Sequence, residues 1–557
     1  MAPEGAAAGR LPRSWRGLLW LLPAALFLSG ALQAMGAHAL YMDAVNPDYL
    51  VARLLGPARE AIQAWVLPGN LRSGRFPLLV QPYHGALPFW FGLPLYALLG
   101  TGTTATRIVH ACFALGVLAA LAVFLRAFGV RGWLALLACC ALALDGGFLL
   151  AFRTQFYITL LPLALVLLAA ALTERGRLPL LAGLLAGLAV HGYFIHAVFL
   201  PVLLAHAWWR RGAAPWAWLL GAWIAGGTYL VGFAFAAAAF RQFAVGHALV
   251  WSWLLGIALL WWLGRSARPG RVLGLAILLA LALAAPAAAL LPLDAPLALL
   301  NQGLGIMQPG SSTLDIGGRL LLLWRLSLQS LSGAGAEGML LGSSGAGWPD
   351  ALRALLLTLP VAAALLLRRA GPGLWLALGL LLAHLPLALL FGDRLWTHHL
   401  SALPVLAVAA CALALSRLPA AALLVLLPLA LLNAAERQAK LDRLAREGGA
   451  GLSDVALTRF ARTVLAEHPD VSLHAPDWGV LMPFVMETGG RIPVTSRAEP
   501  EQMRCGSRPP ALALLATAGV ERLARWEAVL GPATVQDFPG RDGAPYLRLA
   551  LWPAQRC

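Results

Sequence analysis

Leu40-Tyr41-Met42-Asp43-Ala44-Val45-Asn46-Pro47-Asp48-Tyr49 follows directly on the first long apolar run of the chain, Gly17 to Ala37. That run, of about 21 residues, is long enough to cross a bilayer. The stretch after it places two carboxylates at the membrane surface, in a chain with few acids before residue 430. Ionisable groups there are costly unless solvated or paired, which makes them functional candidates. Asn46-Pro47 reads as a helix start, with Asn as N-cap and Pro at the first helical position. Asp48 then has a structural use near the positive end of the helix dipole. Asp43 precedes the cap and has none, so it is the first candidate for a catalytic carboxylate and Asp48 the second.

Working outward, the whole chain has the composition this stretch implies. Of its 557 residues 60% are hydrophobic and only 12% charged, too apolar for a soluble protein of this size and right for a polytopic α-helical membrane protein. The net charge of +16 does not indicate a nucleic-acid partner. Its arginines stand singly or in pairs between apolar runs, as topology control requires. Arg10, Arg13 and Arg16 precede the first run, which is too long for a signal-peptide core and is read as an uncleaved anchor. The Ala/Leu/Gly/Arg bias suggests a bacterial source. Cys112, Cys139, Cys140 and Cys411 lie in apolar runs and read as packed residues. Cys505 and Cys557 lie in the polar tail, where an oxidising compartment would let them pair. No Cys/His spacing resembles a zinc site.

Apolar runs mark about thirteen spans, near 17–38, 105–125, 132–150, 156–173, 178–192, 194–208, 214–238, 245–263, 271–292, 351–367, 374–391, 398–415 and 418–433. With the N-terminus cytoplasmic, nearly every inside turn carries arginine, among them Arg126, Arg131, Arg175, Arg177, Arg210 and Arg211. An odd count puts the C-terminus outside. The transmembrane domain is thus 1–434, with outer loops 39–103 and 293–350, and 435–557 is a small periplasmic α/β domain. Within the first loop Asp48–Val66 is expected to be helical. Leu314–Leu331 of the second loop reads as an amphipathic interfacial helix with an Asp315–Arg319 pair. In the tail, helices are expected over 436–447, 453–466 and 518–529. Strands are expected at Asp470–His474, Val480–Val485 (an edge strand, because of Pro483), Arg491–Val494, Ala511–Ala516, Thr534–Phe538 and Tyr546–Trp552. Asp477-Trp478-Gly479 reads as a turn whose tryptophan could stack on a sugar. Neither a P-loop nor a dinucleotide fingerprint is present.

In this order the parts resemble the GT-C superfamily of membrane glycosyltransferases, and within it the bacterial branch of protein O-mannosyltransferases and the lipid A aminoarabinose transferase. An acid follows the first span. Gln81-Pro82-Tyr83-His84-Gly85-Ala86-Leu87-Pro88 resembles the family's His/Pro-rich helix entry, and Gly100-Thr101-Gly102-Thr103-Thr104-Ala105-Thr106-Arg107 its Gly/Ser stretch ending in arginine. Phe152-Arg153-Thr154-Gln155 resembles the segment carrying an outer-face arginine. Asp393 to Pro404, with Arg394, His398 and His399, resembles the entry to a late helix. Three features depart from the pattern. The two acids stand five apart instead of adjacent, Gln155 replaces an acid, and the family's middle-helix lysine is absent, with His191 or His196 in its place.

The resemblance implies an inverting transfer of a sugar from a polyprenyl-phosphate donor to an acceptor hydroxyl on a lipid, glycan or protein, at the periplasmic face of the bacterial inner membrane. Such chemistry needs one general base and cations on the departing phosphate. Asp43 or Asp48 would be the base, and His84, Arg107, Arg153, Arg394, His398 and His399 the phosphate or sugar contacts. No cofactor is called for, although a carboxylate pair could hold a divalent cation. Other readings of the same chain are a transporter or flippase of a lipid-linked sugar, a polysaccharide polymerase or ligase, and a membrane scaffold. Transporters commonly carry internal repeats, and none is evident in this sequence.

Overall fold

The computed structural model describes residues 17–71, 76–210, 214–265, 313–344, 347–504, 506–516 and 520–554. Among them, eight helices are long and apolar enough to cross a membrane, and five shorter apolar helices accompany them. Helices Thr103–Ala127, Tyr157–Glu174, Pro179–Gly192, Phe243–Leu263 and Trp348–Leu366 follow the expected spans closely. The expected span 271–292 lies outside the described residues, as do Cys505 and Cys557. Tyr157–Glu174 and Thr397–Leu415 form the centre of the bundle, with 83% of each apolar window buried. Their all-round apolar faces suit helices surrounded by protein. Elsewhere small residues let backbones close up. A Cβ on Gly183 of helix Pro179–Gly192 would lie 1.8 Å from the Trp218 carbonyl oxygen of helix Pro215–Gly226.

The first loop departs from expectation. Helix Tyr49–Leu55 ends at Gly56-Pro57 instead of running to Val66, since proline bars the helical conformation of the residue before it. Asn46 does not cap it: the helix starts at Tyr49, Asp48 holds the N-cap position, and its side chain makes no capping bond. A two-stranded ribbon follows, β1 (Leu79–Gln81) against β2 (His84–Gly85), and leads into the apolar helix Leu87–Leu99.

Of the second loop, helix Ile316–Ser332 is present, with Ile316, Leu321 and Trp324 exposed along one face. The Asp315 carboxylate caps it, accepting from Gly318 N–H at 2.6 Å, while Arg319 donates to the carbonyls of Leu314 and Leu389. Both groups of the expected Asp315–Arg319 pair therefore serve the backbone.

The span expected at 418–433 and the tail helix expected at 436–447 are one helix, Ala422–Glu447. It carries the chain from the bundle into the C-terminal domain, so the 434/435 division falls within it. That domain is a five-stranded mixed sheet in the order β4 (Val494–Thr495), β3 (Ser472–His474), β5 (Pro510–Leu515), β7 (Pro545–Leu551), β6 (Thr534–Pro539). β3 runs parallel to β4 and β5, and β7 is antiparallel to β5 and β6. Helices Ala456–Glu467 and Val520–Leu530 accompany the sheet as expected. Val480–Val485 is not a strand: Leu481–Thr488 is a helix crossing from β3 to β4. The run is apolar on every side and entirely buried from Leu481 to Met486, so its period does not distinguish helix from strand. Pro483 sits in the first turn, where a missing N–H leaves no hydrogen bond unmade.

The C-terminal domain and the first loop are stitched together by their backbones. Ala39 N–H donates to Ser453 O at 2.8 Å, Gly449 N–H to Ala37 O at 3.1 Å, Ala58 N–H to Gly490 O at 3.0 Å and Gln63 N–H to Val494 O at 2.9 Å. Ile62 pairs with Val494 as a parallel extension of the sheet. Each bond is a modest contribution, about 1 kcal/mol, but together they fix one side of the loop that carries Asp43 and Asp48.

Candidate active site

Asp43 lies in a single helical turn, Met42–Ala44, just after the first helix. Its side chain is half-buried. Tyr41 donates its hydroxyl to Oδ2 at 3.3 Å. Burial pushes the carboxyl from its ordinary 3.8 up to about 6, with the Tyr41 hydrogen bond acting in the opposite direction. The carboxylate sits among aromatic rings. Burial and the charge of Asp43 together raise the Tyr83 hydroxyl to about 12. Tyr83 in turn meets Tyr193 at 6.0 Å between ring centroids, and Tyr193 meets His399 at 6.3 Å. Trp478 of the C-terminal domain stands edge-on to Tyr41 at 5.7 Å, and the neighbouring Gly479 N–H donates to Met42 Sδ at 3.2 Å. The base candidate is thus walled by loop, ribbon, bundle and C-terminal domain together.

Asp48, five residues on, is housed differently. It has no exposed surface. The Tyr96 hydroxyl donates to Oδ1 at 2.9 Å, the Tyr157 hydroxyl donates to Oδ2, and His110 Nε2 stands 3.6 Å from Oδ2. His110 stacks on Tyr157 at 4.0 Å and is held from its other nitrogen by the Phe152 carbonyl at 3.2 Å. These neighbours come from three helices, Leu87–Leu99, Thr103–Ala127 and Tyr157–Glu174, so Asp48 is the polar knot that joins the loop to the bundle. None of the three was singled out in the sequence, because a tyrosine inside an apolar run gives no sign of which carboxylate it will meet.

Of the three arginines expected to contact phosphate or sugar, Arg107 and Arg153 are buried, with their guanidinium groups on main-chain oxygens. Arg107 donates to Arg153 O at 3.1 Å and Ala39 O at 3.2 Å. Arg153 donates to the carbonyls of Ala31 and Gln33, at 3.0 and 2.5 Å. It caps the C-terminal end of helix Leu22–Ala31, where four carbonyls lack helical partners and a cation is favoured by the dipole. His38 is buried beside both, and its desolvation and their charges hold its pKa well below the ordinary value. Glu487 was likewise not anticipated. It reaches from helix Leu481–Thr488 to the start of Thr103–Ala127, accepts from the hydroxyls of Thr103 and Thr458, and lies 3.7 Å from Arg462. A carboxylate at that helix N-terminus opposes the positive end of the dipole.

His84 is buried in β2, stacked on Tyr193 at 6.0 Å, and desolvation lowers its pKa to about 4. It therefore meets Asp43's aromatic wall as a neutral ring. His398 and His399 lie in the turn Thr397–Leu400 with rings 4.0 Å apart. His398 Nδ1 faces Gln155 Nε2 at 3.4 Å, and His399 Nδ1 accepts from Trp396 N–H at 3.0 Å. Arg394 is half-buried in the preceding turn, Gly392–Arg394. The structure thus brings His84 and, through Tyr193, His399 to the wall around Asp43, and places Arg107 and Arg153 in the loop's support. Among the described residues no three His, Cys, Asp or Glu side chains converge as a metal ion would require.

No family model and no curated protein sequence matches the chain. Among solved structures it is similar to ArnT from Cupriavidus metallidurans bound to undecaprenyl phosphate. That match has 12% identity and a TM-score of 0.41, over 97% of this chain and 98% of ArnT. It is similar also to the arabinofuranosyltransferase AftD from mycobacteria, with 16% identity and a TM-score of 0.39, over 99% of this chain and 40% of AftD. These are loose likenesses of layout.

Proposed function

We propose that this chain is a GT-C-type membrane glycosyltransferase that moves a sugar from a polyprenyl-phosphate donor to an acceptor hydroxyl, with Asp43 as the general base. The observation that carries the reading is the setting of Asp43. It is a half-buried carboxylate whose pKa is raised to about 6, set among aromatic rings where the first loop meets the C-terminal domain. A base with a pKa near the working pH is both ionised and able to accept a proton. Flat apolar rings with a few polar groups are the usual lining of a small-molecule site.

The acceptor oxygen would lose its proton to Asp43 as it attacks the anomeric carbon, and the bond to the lipid phosphate would break with its electron pair leaving on the phosphate. Direct displacement inverts the anomeric centre. Arg394 and His398, in the two successive turns before the late helix and neither fully buried, are the candidates to receive the phosphate charge. Asp48 is assigned as a positioning group, since its oxygens already accept from Tyr96 and Tyr157. On this reading Asp43 lies on the periplasmic side, the N-terminus is cytoplasmic and the protein resides in the inner membrane.

The test is lipid analysis of the native envelope from wild type, a deletion strain and an Asp43→Asn strain. Both mutants should accumulate one prenyl-phosphate sugar and lose one glycoform, with the variant protein still in the membrane. A deletion that loses the glycoform while Asp43→Asn retains it would remove Asp43 as the base and return the transport reading to the front.

A further inference from the structure

The turn Asp477-Trp478-Gly479 is fixed from both ends. Asp477 accepts from Leu515 N–H at 2.7 Å and from Arg522 at 2.5 Å. Gly479 adopts φ +105°, and a Cβ there would lie 2.6 Å from the Leu452 side chain. Its N–H is tied to Met42, the residue before Asp43. A left-handed glycine between two such anchors leaves little freedom for the residue that precedes it. Yet Trp478 itself remains 47% exposed. A large indole held rigidly but left half in solvent adds little to the core. Its surface is instead offered to something that arrives.

What it is offered beside defines the ligand. Trp478 meets Tyr41 edge-on at an interplanar angle of 75°, and the Tyr41 hydroxyl is 3.3 Å from Asp43 Oδ2. A single residue, Tyr41, therefore links the indole to the carboxylate. Sugar rings combine an apolar C–H face, which packs on an indole, with a rim of hydroxyls that need polar partners. Aromatic side chains supply rigid, amphipathic contact area at low entropic cost.

We infer that Trp478 is the acceptor platform, and that the acceptor is a carbohydrate, the sugar ring of a glycan or glycolipid, instead of a serine or threonine of a protein. The inference rests on the transferase reading and deepens it. The acceptor hydroxyl gives its proton to Asp43, its oxygen bonds to the donor's anomeric carbon, and the prenyl phosphate departs with the electron pair of the broken C–O bond.

The experiment uses full-length protein in deletion-strain membranes. Donor is the prenyl-phosphate sugar pool extracted from that strain, and acceptor is its envelope fraction, titrated against wild type, Trp478→Ala, Trp478→Phe and Asp43→Asn. Trp478→Ala should raise the half-saturating acceptor level roughly tenfold, the upper end for one aromatic contact. Its maximal rate and donor saturation should stay within about twofold, and Trp478→Phe should recover most of the loss. Acceptor capacity of the envelope should survive proteinase digestion and disappear after periodate oxidation. The inference is overturned if Trp478→Ala saturates like wild type, if it lowers only the maximal rate, or if proteinase destroys the acceptor. If wild type transfers nothing, or Asp43→Asn transfers as fast as wild type, the transferase reading itself falls. If Asp43→Asn is inactive and Trp478→Ala behaves as wild type, only the acceptor platform falls.

Discussion

Asp43 and Asp48 share one short loop and the same chemical group, and the protein treats them in opposite ways. Asp48 is sealed from solvent and receives two tyrosine hydroxyls, with a histidine alongside. Asp43 keeps part of its surface open and receives one long hydrogen bond. A carboxylate sealed from solvent, with each oxygen already accepting a hydroxyl, stabilises a fold and is closed to a substrate proton. A carboxylate left under-satisfied, with its charged form disfavoured by burial, is poorer for stability and better for proton transfer. The contrast teaches that access and hydrogen-bond partners, more than position in the sequence, distinguish an acid built into the fold from one proposed as a base.

The sharpest way to break this contrast is to neutralise each acid in turn. Asp43→Asn should lower transfer about 10²- to 10⁴-fold, the range for losing a general base, with normal abundance in the membrane. Asp48→Ala should act on the fold instead. It strands two buried hydroxyls, at about 1–3 kcal/mol each, which a thermal-unfolding assay in detergent would register as a lowered midpoint. If Asp48→Ala is fully stable but inactive, the two roles have been assigned the wrong way round.

The pH dependence sharpens the same point. With a native pKa of about 6 against 3.8 for the ordinary group, folded Asp43 binds its proton more tightly than the unfolded chain does. Its contribution to stability is therefore present below about pH 4 and lost as pH rises toward 6. Activity should move the other way, increasing as the base ionises through about pH 6. The Asp43→Asn variant should lose the Asp43 part of the stability slope in that window, measured by unfolding midpoints from pH 4 to 7. The smallest effect is expected from Tyr41→Phe. Removing the hydrogen bond that favours the charged form should move the acidic limb of the activity profile to higher pH by a fraction of a unit.

Much of the membrane architecture was legible because apolar length is a direct physical demand of the bilayer, and helices such as Thr103–Ala127 and Phe243–Leu263 carry it without ambiguity. Where the local signal was mixed, the reading failed for identifiable reasons. Leu481–Thr488 is apolar on all sides and so has no period to read. Asn46-Pro47 looked like a cap, but the helix waits until Tyr49. In the site, Asp43 stood out because acids are rare there and it had no local use. The partners of Asp48 did not, since Tyr96, His110 and Tyr157 are 48, 62 and 109 residues away from it in sequence. Arg107 and Arg153 were legible as candidate contacts but not as donors to main-chain oxygens, because the carbonyls that need them carry no signature of their own.

The helix Ala422–Glu447 leaves the bundle and enters the C-terminal domain without a break. At 1.5 Å per residue its 26 residues make a shaft of about 39 Å. A shaft transmits torque. Inserting one residue near Asn433 would turn everything beyond it by about 100° and lift it about 1.5 Å, wrenching Trp478 off Tyr41 while leaving every residue around Asp43 chemically intact. Inserting four residues would overshoot a full turn by only about 40° while adding about 6 Å of rise. The C-terminal domain is therefore less a flap on a tether than a key on a stem, and the fit of its bit to the lock is set by the phase of one helix.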